Sequence, residues 1–323
     1  MRIVKANKNR HFIHFFPLWM STETMRKFQI PLLTFYVVAG SFIGIFLRYL
    51  TFHFDSFTLN FYRFLAGSLS LWLISFLFFR NDLTKILRSY HQLAQIIALT
   101  GIFALSVFLN VKGLSYTSAT MGALTGILTL LITITLVGLT FRDEREIIKE
   151  KYFIFGLILA IFGVIGLSIS RGGTTIEYSV GVYYLLISAI LTGCTAPLIK
   201  KLILAFNPLC FASLTAAFAS IFFFIGALLW GDLMKITRVS FFTQVILFGS
   251  GVYGLMVGIA LHRIYIKSFG MSRVSTVALS APIFTGIFAY LFLKEALSPQ
   301  QMIFAAILMG GCFLAIRKKY KKE

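Results

Sequence analysis

The residue best placed to do chemistry is Arg63, in the stretch FYRFLAG, because it stands inside a long apolar run. A charged side chain at the centre of a membrane helix costs roughly 2.5–3.5 kcal/mol on insertion scales. Arg63 lies about two turns from one end of its run, where snorkelling lowers that cost. Two readings stay open: an anchor paired with backbone carbonyls or Asp55, and a positive group at the mouth of a solute path. His262, beside Arg263 at the end of another apolar run, could titrate near neutral pH, or it is an interfacial histidine. Glu295 stands beside Lys294, which suggests an ion pair at a membrane surface.

The 11 acidic residues all fall at the ends of apolar runs, in connections or in tails. A carrier of lipophilic cations needs a carboxylate in the membrane, and the sequence places none there. His11, His14, His53, His91 and His262 are scattered, with no HExxH motif. Cys194, Cys210 and Cys312 lie singly in apolar runs as packing residues. There is no GxxxxGK[ST] stretch for a nucleotide. These patterns argue against an enzyme and imply no cofactor and no metal.

The elements that position Arg63 follow from composition. The chain has 323 residues, 58% hydrophobic and 13% charged, where an ordinary soluble chain is roughly 25% charged. Runs of about 20 apolar residues can cross a bilayer. They fall near 29–48, 56–79, 92–111, 115–140, 152–170, 179–199, 207–230, 240–261, 274–293 and 298–316. Unbroken runs of that length are helices, since every backbone group in lipid must be paired within its own segment.

The basic residues test this division. With both termini cytoplasmic, most of the 30 Lys and Arg residues fall on the cytoplasmic side. They cluster at 2–27, 80–88, 142–151, 200–201, 263–273 and 317–322. Only Arg48, Lys112, Arg171, Lys235, Arg238 and Lys294 fall outside. A missed helix would reverse every later connection, so the asymmetry supports ten spans. The net charge of +19 is thus a membrane-orientation signal rather than a nucleic-acid footprint. Residues 1–28 form a basic segment in the cytoplasm or at the interface, with Met20 and Met25 as alternative starts. Residues 317–323 form a basic cytoplasmic tail.

Small residues let helices approach closely in lipid. The sequence offers Gly122 and Gly126, Gly163 and Gly166, Gly254 and Gly258, and Gly310 and Gly311. Pro197 and Pro282 each remove a helix hydrogen bond. Pro282, in SAPIFTG, is the one placed mid-span, where a broken helix could border a cavity.

Five spans at 29–170 precede the external connection at 171–178, and five at 179–316 follow it. Because five is odd, the second set runs in the opposite sense. YTSATMGALTG at 116–126 resembles MSRVSTVALSA at 271–281, and FRDERE at 141–146 has a counterpart in LKE at 293–295. With FYRFLAG, ALSVFLNVKGLSYTSAT and VALSAPIFTGIFAYLFLKEALSPQQ, the chain over residues 29–318 resembles the drug/metabolite transporter superfamily in its EamA-type ten-helix branch. The first half departs from the pattern at Gly126–Ile127, where the family often has proline.

The resemblance implies an all-α integral membrane protein of two inverted five-helix repeats, working by alternating access. It implies a cavity lined by spans one, three, four, six, eight and nine. By position the lining candidates are Tyr36, Ser41, Thr125, Thr129, Ser188, Tyr253, Ser280, Pro282 and Thr285, with Arg63 added from its charge. The expected function is secondary transport of a small metabolite, an amino acid or another neutral, zwitterionic or anionic solute, outward across the plasma membrane. The competing readings are a membrane partner or sensor that transports nothing, and a multidrug exporter. The expected partners are a small-molecule solute, the lipid bilayer and a second copy of the chain in a homodimer, with no nucleic acid.

Overall fold

The computed structural model describes residues 29–141, 148–169, 176–269, 274 and 277–316. The basic N-terminal segment, the tail and parts of the 141–146 and 271–281 repeat signatures lie outside them. The described residues are helical throughout, without strands. The helices are α1 Gln29–Thr51, α2 Ser56–Arg88, α3 Tyr90–Tyr116, α4 Ala119–Thr140, α5 Lys151–Ile169, α6 Ile176–Ala205 and α7 Pro208–Trp230. They continue as α8 Phe241–Leu255, α9 His262–Phe269, α10 Ala281–Phe288 and α11 Pro299–Ile316. A π-helical turn, Met256–Leu261, joins α8 to α9 in one rod, and another, Ala289–Leu293, extends α10.

Local chemistry explains where the rods begin. The Asp55 carboxylate accepts from the amides of Phe57 and Thr58 and caps α2. Ser118 and Ser240 cap α4 and α8 in the same way. Asn207 caps α7, with Pro208 in the first turn, where a missing N–H costs nothing. The α3–α4 boundary lies at Thr117–Ser118, so Lys112 is inside a helix rather than in the turn expected around it. Phe79, where the second apolar run ends, has non-helical φ and ψ inside α2, and the rod runs on to Arg88.

Within the described residues each of the ten apolar segments is mostly helix. Seven are long and apolar enough to cross a bilayer: Pro31–Thr51, Ser56–Arg88, Tyr90–Tyr116, Ala119–Thr140, Ser179–Ile203, Pro208–Trp230 and Phe241–Ser268. Lys151–Leu167, Ala281–Leu293 and Pro299–Ala315 are shorter. The reason for Ala281–Leu293 is local: the chain turns at 279–280, just before Pro282. Leu69, Trp72, Leu73, Phe76 and Leu77 form an exposed apolar stripe at helical spacing on α2, and Ile154, Phe155, Ile158, Ile161, Phe162 and Ile165 form one on α5. Stripes of that size belong against lipid.

The main helix pairs are α5 with α11, α2 with α7, α3 with α6, α4 with α6 and α2 with α8. Helix α1 touches α8 and α10, and α3 touches α7. Glycines set several contacts. A Cβ on Gly163 would come within 2.7 Å of the Leu308 amide nitrogen, and one on Gly311 within 2.6 Å of that of Ala160. Gly67 and Gly251 abut across α2 and α8. Gly126 and Gly310, by contrast, have nothing within 4 Å, so the expected packing at those two positions is absent.

Candidate functional site

The polar residues of α1 meet the second half of the chain in a ladder. The Tyr36 hydroxyl lies 2.7 Å from His262 Nδ1, with the rings stacked. Tyr265 meets Tyr36 edge-on. The Tyr253 hydroxyl donates to the Ala39 carbonyl at 2.7 Å. The Ser41 hydroxyl donates to Val37 O in its own helix and, at 3.2 Å, to Ala281 O at the start of α10. Thr285, one turn into α10, is buried near Gly44. Thus Tyr36, Ser41, Tyr253, Pro282 and Thr285 gather around α1.

Pro282 occupies the first turn of α10, where proline keeps its helix intact. The chain before it is a turn closed by the Ser280 amide on Val277 O, and the Ser280 hydroxyl bonds the same carbonyl. The segment is therefore interrupted rather than merely kinked. Pro197, in contrast, lies inside the continuous α6. The two π turns add further irregularity on the same side of α1, and such turns recur at functional sites.

The other candidates stand elsewhere. The Thr125 hydroxyl bonds back to Met121 O and Gly122 O within α4. Thr129 is half-buried one turn further along. Ser188 is buried between α6 and α3 and donates to Ser106 O at 2.7 Å. That contact lies at the α3–α6 seam, apart from the α1 ladder.

Arg63 is 4% exposed. Its Nε donates to Ser250 Oγ at 3.1 Å and Nη2 reaches Ser250 O at 3.4 Å, across α2 and α8. Gly254 leaves it room, because a Cβ there would sit 2.7 Å from Nη2. Asp55 does not pair with it, since its oxygens cap α2 and accept from the Asp232 amide. Ser250, Tyr253, Gly249, Ile246 and Val245 of α8, with Phe42 and Phe46 of α1, line an open-sided cleft of about 390 Å³. Arg63 thus lies one hydrogen bond behind the wall of that cleft.

Three charged groups, Glu295, Arg48 and Arg263, take partners that the sequence did not indicate. Glu295 pairs not with Lys294 but with Arg48, Nε to Oε1 at 2.8 Å. The other Glu295 oxygen accepts from the Ala119 amide at the start of α4. Arg48 Nη1 donates to Leu114 O and Ser115 O, so one cluster ties α1, the α3–α4 boundary and the turn before α11. Lys294, at φ 56, ends its helix in the left-handed region and is exposed. Arg263, expected among connection charges, is 4% exposed, donates to Thr215 Oγ1 and stands over the Phe211 ring at 3.9 Å. No spacing in the sequence joins 48 to 295 or 215 to 263. The only signal was charge at the end of an apolar run.

Among the described residues no carboxylate is as deeply buried as Arg63, the Glu295 carboxylate being held by Arg48, and no group of His, Cys, Asp and Glu could hold a metal. What the arrangement offers is a polar seam on an irregular helix wall, an apolar cleft and a buried cation.

Known proteins agree with this reading of the architecture. Residues 179–317 match the EamA-like transporter family. An uncharacterized transporter of Haemophilus influenzae is 28% identical over 284 residues, covering 85% of this chain and 93% of that protein. A solved crystal structure superposes with a TM-score of 0.58 at 17% identity, covering 88% of this chain and 95% of the other, which speaks to the fold alone. A transporter family matched along residues 179–317 and a transporter relative aligned along most of the chain point the same way: the chain is similar to multi-pass membrane transporters of the EamA type.

Proposed function

We propose that the protein is a secondary transporter that exports a small neutral, zwitterionic or anionic metabolite across the plasma membrane by alternating access. Two inverted five-helix repeats, 29–170 and 179–316, joined by an external connection at 171–178, would rock about α1 and its counterpart α6, with both termini cytoplasmic. Tyr36, Ser41, Tyr253, Pro282 and Thr285 would border the solute path, and Arg63 would stand beside it.

The observation that carries this reading is the ladder on α1. A first-half helix is bonded through Tyr36, Ala39 and Ser41 to second-half segments that are interrupted or π-helical. Interrupted helices at a repeat interface are where secondary transporters bind solutes. The helix pairing supports the inverted repeat. If α1 to α5 correspond to α6, α7, the α8–α9 rod, α10 and α11, then α2–α7 and α5–α11 are self-related pairs. Likewise α3–α6 answers α8–α1, α4–α6 answers α10–α1, and α2–α8 answers α7–α3.

A multidrug exporter of lipophilic cations fits less well, because among the described residues the carboxylate of Glu295 is neutralised by Arg48 and none is as buried as Arg63. The test is a comparison of intracellular metabolite pools and spent medium between cells with and without the protein. The proposal expects at least one small metabolite to build up inside the deletion strain and fall in its medium. Unchanged pools under overproduction and deletion alike would contradict it.

A further inference from the structure

We infer that the protein takes a solute with a carboxylate at one end and an apolar body at the other, the carboxylate held by Arg63 and the body by the cleft between α1 and α8. This rests on the transport reading and narrows its substrate class.

The argument begins with an unbalanced charge. An arginine is always ionised, and Arg63 is 4% exposed. Its described acceptors are the two oxygens of one residue, Ser250, one of them at 3.4 Å. Neither carries a charge, and Nη1 has no acceptor among the described residues. A guanidinium is best satisfied by two parallel bonds to a carboxylate or phosphate, and among the described residues no carboxylate pairs with Arg63, Glu295 being committed to Arg48. A solute anion can supply the missing counter-charge.

The cleft selects the rest of the solute. Ser250 both receives Arg63 and lines the cleft. Around it stand Phe42, Phe46, Val245, Ile246 and Tyr253, and the Tyr253 hydroxyl is already committed to Ala39 O. About 390 Å³ falls within the usual size of small-molecule pockets, roughly 300–1,000 Å³. Apart from Ser250 and the Tyr253 hydroxyl, the wall offers nothing to a polar body. Phosphorylated or polyhydroxylated solutes would be stripped of water there without replacement partners. The second buried arginine, Arg263, is different: it donates to Thr215 Oγ1 and is covered by the Phe211 ring.

The experiment uses the full chain in detergent and in proteoliposomes, with straight-chain and phenyl-substituted carboxylates of two to ten carbons. 3-Phenylpropionate is compared with 3-phenylpropionamide and 3-phenylpropylamine, which keep the body and remove the anion. The expected result is a rise in melting temperature and uptake for the longer carboxylates, with amide and amine at least tenfold weaker. Arg63→Gln should weaken binding of the carboxylate by tenfold or more and leave the amide unaffected, and Arg63→Lys should retain part of it. If Arg63→Gln does not fold, the wild-type series decides alone. Carboxylates that bind no better than their amides overturn the inference. Uptake of neutral solutes alone sinks the inference and leaves the transport reading standing. Carboxylate binding with no flux of any solute supports the site and contradicts transport.

Discussion

Arg48 and Glu295, nearly 250 residues apart, form a 2.8 Å ion pair that ties the end of α1 to the turn before α11. Both side chains are more than four-fifths buried, and their remaining atoms hold Leu114 O, Ser115 O and the Ala119 amide. Hydrogen bonds to charged groups are worth about 1.5–3 kcal/mol each when removed. Arg48→Gln and Glu295→Gln should each lower stability in detergent by about that amount. The double variant should cost less than the sum, by about 1 kcal/mol or more. Strict additivity in melting or chemical denaturation would mean the two do not interact. Lys294→Gly should be neutral or stabilising, since glycine occupies a left-handed position without a steric penalty.

The glycines make a paired prediction. Gly163→Ala forces a methyl toward the Leu308 backbone, which cannot yield as a flexible side chain could. Overpacking of this kind costs about 1–3 kcal/mol. Gly126→Ala meets open space and should be neutral or slightly stabilising through helix propensity. Thermal melting of the two purified variants separates them, and equal effects would contradict the α5–α11 packing.

Pro282 should matter for movement more than for stability. It sits at the start of α10, after a turn, so Pro282→Ala should fold with stability within about 1 kcal/mol of wild type. By allowing the helix to extend back through 279–280, it should slow flux severalfold. Pro197→Ala, inside continuous α6, should instead leave the fold intact or firmer. Transport assays showing the same loss for both would remove the special role of the interruption.

The Tyr36–His262 bond gives a local test. Tyr36→Phe deletes one hydroxyl and should destabilise by about 1 kcal/mol. His262→Gln retains hydrogen-bonding groups and should be milder than His262→Ala. The reverse order in melting temperature would show that the ring fills space rather than bonding.

Much of the fold was legible because lipid imposes a simple code. Apolar runs of crossing length located most of the helices, though α9 lies where a basic connection was expected, and Pro282 marked the interruption before α10. Boundaries were less legible where capping decides them: Ser118, not Lys112, starts α4. At the site, Arg63 and the α1 residues Tyr36 and Ser41 could be read from charge and position. The partners could not, because Ser250, Ala281 and His262 come from the other half of the chain, and no local spacing encodes a contact across more than 180 residues. Ser188 and Thr125 bond to backbone carbonyls, as polar residues inside lipid often do.

The most direct test is counterflow. Proteoliposomes containing the purified chain are loaded with a metabolite mixture, supplied with no ATP, and offered the labelled counterpart outside. Transport by alternating access predicts label accumulation that exceeds empty liposomes and collapses for Arg63→Gln protein of matched folding and orientation. Label entry equal to that of empty liposomes, for every metabolite class in the mixture, would contradict it.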